Sequence, residues 1–168
     1  SDGERVFTLF HNDNQVWVTA FDLDGRQLWQ KSPIPFEPKQ YVFGFGSSPV
    51  VVGDVLVITS EYDGPKSGIV GLATKDGSER WRTPRRQKLS YSTPARVPVG
   101  ESTQLMISGN LSVAAYAPAT GDQQWSIEGS THATCGTMVW DAKRNLAFAS
   151  GGYPDNFTLA VETGGDHE

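Results

Sequence analysis

The sequence predicts an all-β protein, a partial β-propeller of four-stranded antiparallel blades, about four in number, with the first and last incomplete. Three observations carry this reading. A glycine followed four residues later by a tryptophan, each time after a polar turn, recurs at Gly25/Trp29, Gly77/Trp81 and Gly121/Trp125. A second marker, the start of "SSPVVV", "STPARV" and "CGTMVW" at Ser47, Ser92 and Cys135, recurs at intervals of 45 and 43 residues. The composition, with 18 Gly and 10 Pro in 168 residues, is turn-rich, and no window holds helical apolar spacing over three turns.

The elements follow from turn chemistry and short apolar runs. "DGERVFTLF" aligns with "VGDVLVITS", placing Gly3 opposite Gly53, so the first blade (about residues 1–32) starts after its innermost strand. "HNDN" and "DLDG" within it are hairpin turns, where Asn and Asp are turn formers. The Pro-rich "KSPIPFEPKQYVFGF" is then expected as a loop insertion. The second blade (46–84) reads "PVVV", a turn at Gly53-Asp54, "VLVITS", an exposed loop "EYDGPKSG", "IVGLA", the turn "KDG" and "ERWRT". The third (91–128) repeats that order with "ARVPV", "QLMIS", "SVAAYA", "ATG" and "QQWSI". A fourth (135–168) opens at Cys135 and reaches "AVETGG". Four short strands bounded by Gly, Asn and Asp turns every 43–45 residues are a propeller-blade pattern.

The glycine–tryptophan pair has a physical reading. The glycine adopts positive φ in the hairpin between third and fourth strands at no steric cost. The tryptophan on the outer strand is then expected to wedge between neighbouring blades, because a blade cannot bury both its faces alone. Burying such a ring contributes about 3 kcal/mol.

These repeats resemble the quinoprotein-type, or PQQ-like, propeller motif Ala-x-Asp-x-x-Thr-Gly-x-x-x-Trp. "APATGDQQW" keeps Thr120, Gly121 and Trp125; "AFDLDGRQLW" keeps Ala20, Asp22, Gly25 and Trp29 but is one residue short; "GLATKDGSERW" keeps Gly77 and Trp81. The resemblance implies a ring of seven or eight blades, of which this chain supplies about half, cut from a longer protein. Quinoprotein dehydrogenases of this type hold pyrroloquinoline quinone (PQQ) and Ca²⁺ at the ring's centre with an Asp base, Glu and Asn calcium ligands and an aromatic floor, and alcohol-oxidising members add an adjacent Cys pair. No such set maps onto this sequence, so no catalytic residue and no cofactor is predicted, PQQ with Ca²⁺ being the alternative. The BamB-like members lack the quinone, and likeness to them implies a protein-interaction scaffold, or the binding or sensor module of a larger exported protein, in the periplasm or outside the cytoplasm. The alternative function is a fragment of a PQQ-dependent dehydrogenase.

Other features carry less. A net charge of −5 argues against a nucleic-acid binder. One cysteine excludes an internal disulfide and a cysteine-based zinc site; at its marker position Cys135 is expected to be small and buried, with His132 three residues before it. No membrane-spanning run is present. Arg80, Arg82, Arg85, Arg86 and Lys88 crowd nine residues and form a candidate patch for an acidic partner. Tyr41, Phe43 and Phe45 are candidates for packing under the ring or meeting a partner. Open blade edges offer a route to self-association. Glycosylation sequons occur at Asn110 and Asn156.

Overall fold

The structure, a computed structural model, describes residues 1–40 and 43–164. Among the described residues every regular element is a strand, and no helix is long and apolar enough to cross a membrane. Strands β1 (Arg5–Asn12), β2 (Gln15–Asp22) and β3 (Gln27–Pro35) form the first sheet. Strands β4 (Val50–Val52), β5 (Val55–Ser60), β6 (Gly68–Ala73) and β7 (Glu79–Pro84) form the second. The third holds β8 (Ala95–Val99), β9 (Ser102–Gly109), β10 (Ser112–Tyr116) and β11 (Gln123–Glu128), and the fourth β12 (Val139–Asp141), β13 (Leu146–Gly151) and β14 (Phe157–Glu162). Each sheet is an antiparallel meander in chain order. This is the expected partial propeller, three strands, then four, four and three.

Turn residues set the hairpins. Asp13 and Asn14 both take positive φ, 49° and 59°, as the two-residue turn between β1 and β2 requires. Asp22 accepts the backbone N–H groups of Asp24 and Arg26 on its side chain and that of Gly25 on its carbonyl, so "DLDG" is spent on its own turn.

A bulge recurs on the outer strands β3, β7 and β11. Ala20 pairs with Trp29 but Phe21 with Gln27; Gly71 pairs with Trp81 but Leu72 with Glu79; Ala115 pairs with Trp125 but Tyr116 with Gln123. One residue is therefore squeezed out just before each of these three tryptophans, which adds local twist and re-aims the ring. Opposite each ring stands a small residue, and at Gly71 a Cβ would fall 2.2 Å from the Trp81 ring.

Stacking neighbouring sheets creates three apolar layers. The first joins Phe7, Val16 and Val18 to Leu56, Ile58 and Leu72. The second joins Val55, Val57 and Ile69 to Leu105, Ile107 and Tyr116, and the third joins Val97, Met106 and Val113 to Ala147, Ala149 and Val161. Strands β5, β6 and β10 are buried at every residue because both faces of their sheets are covered. Strand β1 is not: Val6 and Phe10 are exposed while Phe7 is buried, and Val139 is exposed on β12.

Two expectations need correction. The Pro-rich insertion is not all loop. Strand β3 runs on to Pro35, and Ile34 and Phe36 are buried in the first layer; proline is tolerated here because β3 is an edge strand. The loop "EYDGPKSG" is not broadly exposed either. Glu61, Tyr62, Gly64, Ser67 and Gly68 are buried, and only Pro65 and Lys66 are exposed. Tyr62 drives this by packing edge-on against Phe36, ring centroids 6.0 Å apart.

Candidate functional site: the loop-face cleft and the junctions beneath it

Trp29 and Trp81 cross from one blade to the next. The Trp29 indole N–H donates to the Thr74 carbonyl at 3.1 Å, and a Cβ on Gly77 would lie 2.7 Å from its ring. The Trp81 indole donates to the Pro118 carbonyl at 3.0 Å, and a Cβ on Gly121 would lie 2.3 Å from its ring. Each hairpin glycine thus meets two demands, positive φ in its own turn (+71° and +75°) and bare backbone under the previous blade's indole. Gly25 has positive φ with nothing near its Cβ position. Trp125 donates to Gln104 Oε1 at 3.1 Å within its own sheet; Gly165 lies outside the described residues, as does Tyr41.

The cationic run divides among separate partners. Arg80 pairs with Asp54, and Arg82 with Glu79 and the Pro33 carbonyl of the first blade. Arg86 pairs with Glu128 across to the third blade. Arg85 turns inward. Its Nε donates to Glu61 Oε1 at 2.6 Å and its Nη1 to the Tyr116 hydroxyl at 2.7 Å, with side-chain exposures of 6% for Arg85 and 0% for Glu61. Asn110 Nδ2 donates to the same Glu61 oxygen at 2.7 Å. Burial works against the Arg85 charge, yet Glu61 and the Tyr116 hydroxyl outweigh it and hold its pKa above the usual guanidinium value. Burial raises the Tyr116 phenol, with Arg85 opposing. This charged cluster spans the second and third blades. It also closes the Asn110 sequon, since that side chain is buried and bonded.

The connections between blades, together with the β5–β6 and β13–β14 loops, converge on one face around a cleft of about 940 Å³. The first connection supplies Lys39, Gln40 and Phe43; the β5–β6 loop supplies Asp63; the second connection supplies Gln87, Lys88, Leu89 and Tyr91. The third supplies His132, Ala133 and Cys135, and the β13–β14 loop Tyr153 and Pro154. Phe43 is 81% exposed and Tyr153 56%. Phe45 is separate, packed edge-on against Phe36 at 5.3 Å.

Hydrogen bonds at the repeat interval pin this face. Ser48 N–H donates to Thr93 Oγ1 at 2.9 Å, Tyr91 N–H to the Thr134 carbonyl at 2.9 Å and Ser92 Oγ to the Gly136 carbonyl at 3.1 Å. Asp63 accepts the backbone N–H groups of Lys39 and Gln40 at 2.8 and 3.0 Å. The Glu61 carbonyl accepts from Ser90 N–H, so the residue that holds Arg85 also fixes the strip bearing Leu89 and Tyr91.

Cys135 is exposed and lines the cleft, contrary to its expected burial. Strand β12 begins only at Val139, so Cys135 still belongs to the connecting loop. Of the sequence candidates, the structure brings together Lys88, His132, Cys135 and Phe43; the arginines lie in separate ion pairs. Glu61, Tyr116, Lys39 and Asp63 are not among the sequence candidates, and Asn110 stands there only as a sequon. One signal was available: "VLVITSE" and "QLMISGN" end in a polar residue at corresponding repeat positions.

The cleft's donor set does not match a calcium-held quinone. Among the described residues no three acids, imidazoles or thiols converge as a metal site. The Asp63 carboxylate is taken by backbone N–H groups, and Glu61 faces Arg85.

Comparison with known proteins accords with the repeat geometry. Among solved structures, BamB from Moraxella catarrhalis superposes with a TM-score of 0.65 at 14% identity, covering 94% of this chain and 46% of that one. A europium-containing methanol dehydrogenase gives 0.65 at 16% identity, over 88% of this chain and 33% of that one. The quinohemoprotein alcohol dehydrogenase of Comamonas testosteroni gives 0.56 at 14% identity, over 85% and 28%. At these identities the likeness is one of fold, and the chain spans less than half the length of each. No curated protein sequence matches. The family model described as outer membrane protein assembly factor BamB matches residues 12–153. Its match spans three blade junctions and most of the chain, and this PQQ-like repeat protein belongs to that family.

Proposed function

We propose that this chain is a non-catalytic binding module, an interaction scaffold within a larger exported protein, and that its contact surface is the loop-face cleft. The observation that carries the reading is the cleft's make-up. Large aromatic side chains stand open to solvent there, Phe43 above all, on loops tied to a rigid stack of sheets. Exposed apolar surface rimmed by polar residues marks interaction sites, and recognition usually sits on loops held by a stiff scaffold. The family is described by an assembly factor, which supports a protein as the partner and the periplasm as the compartment.

Two measurements test this. Cys135 is the sole cysteine and lines the cleft, so a bound polypeptide should slow its alkylation, and Phe43→Asp should restore the rate. Titration of the protein with PQQ and Ca²⁺ should give neither a bound-quinone absorbance nor dye-linked alcohol or sugar oxidation. Quinone binding with turnover would overturn the scaffold reading in favour of a dehydrogenase fragment.

A further inference from the structure

We infer that the cleft receives an acidic polypeptide segment carrying an aromatic or large apolar side chain. This rests on the cleft being the contact surface proposed above. The charge on the cleft runs against the charge on the chain. The whole sequence carries −5, yet the cleft is lined by Lys39 and Lys88, and among the described residues neither makes an ion pair.

Two lysines and one carboxylate line the cleft. Asp63, the lining carboxylate, accepts two backbone N–H groups. Glu61 faces Arg85 beneath the cleft, and Glu128 faces Arg86 beside Lys88. An incoming chain therefore meets two ammonium groups over a floor formed by Leu89 and the aromatic rings. Carboxylates on the ligand match those ammonium groups, whereas a basic segment meets two like charges against the single Asp63 carboxylate, itself held by two backbone N–H groups. A volume of about 940 Å³ sits at the upper end for small-molecule sites and has room for more than one side chain. An aromatic ring suits the walls, since offset or edge-on ring pairs add to simple burial.

The test uses the full chain and three nine-residue peptides. They share a central Phe-Leu and differ in flanks of Asp/Glu, Asn/Gln or Lys. The acidic peptide should slow Cys135 alkylation at the lowest concentration and bind about tenfold tighter than the neutral one at low salt. In the charge-swapped K39E/K88E protein, with an unchanged melting temperature, the preference should pass to the lysine peptide. Equal binding of acidic and neutral peptides, or an acidic preference that survives the swap, overturns the acidic assignment; protection of Cys135 by any of them still upholds the cleft as a polypeptide site. If none protects Cys135, both readings fall.

Discussion

The first two blade junctions place an indole in the same way and are otherwise filled differently. Between blades one and two the layer is mainly apolar, with Phe7, Ile34, Phe36, Leu56, Ile58 and Tyr62 around Trp29 and the Ser60 hydroxyl donating to the Pro35 carbonyl as an uncharged contact. Between blades two and three the apolar layer around Trp81 is thinner, and its loop-face end is closed by Glu61, Arg85, Asn110 and Tyr116. An apolar layer accepts volume-conserving changes with graded losses. A buried ion pair tolerates loss of both partners better than loss of one. The repeat thus fixes one device per junction, the indole, and leaves the rest of the filling free to diverge.

The sharpest break of this contrast is at Arg85. Arg85→Met strands the Glu61 carboxylate and should destabilise the protein by about 3–5 kcal/mol, read as a fall in the denaturant midpoint. The double variant Arg85→Met with Glu61→Leu should recover most of that loss. Ile58→Val in the apolar junction should cost only about 1 kcal/mol. A double variant no more stable than Arg85→Met alone would mean that the charged cluster fixes blade geometry beyond its own electrostatics.

The glycines under the indoles come next. Gly121→Ala drives a Cβ to within 2.3 Å of the Trp81 ring, and Gly77→Ala to within 2.7 Å of Trp29, both at positive φ. Gly25→Ala carries the same backbone strain with nothing within 4 Å, a loss of about 1 kcal/mol. The other two should add an overpacking loss of about 1–3 kcal/mol, larger at Gly121. Equal losses at all three sites would reduce these glycines to turn formers.

The smallest effect is alkaline. Burial raises the Tyr116 phenol above its ordinary value of 10.0, so the folded state keeps its proton where the unfolded chain ionises. Its contribution is complete below about pH 10 and is lost as pH rises through the folded value. Tyr116→Phe should flatten the alkaline decline in stability measured from pH 9 to 11.

Much of the fold was legible because strands and hairpins answer to local rules. Alternating apolar residues, Asp13-Asn14 and the hairpin glycines state where the chain turns. The errors lay where a distant partner overrode a local signal. Pro33 and Pro35 looked like loop, but Ile34 and Phe36 had a layer to fill. "EYDGPKSG" looked exposed, but Tyr62 had Phe36 to pack against and Glu61 had Arg85. Cys135 looked like an inner-strand marker, but its strand starts four residues later.

By itself the sequence determined the repeat, the meander within each sheet, the turns and the three indoles, all features that hydrogen bonding and backbone sterics settle within one 43–45-residue unit. Tertiary structure alone decided which arginine of the run is buried, that Glu61 meets Asn110 and Arg85 meets Tyr116 of the next blade, and which loops share the cleft. Those pairings join residues 24 to 49 apart in sequence, and their distances are set by how one sheet twists and seats against the next.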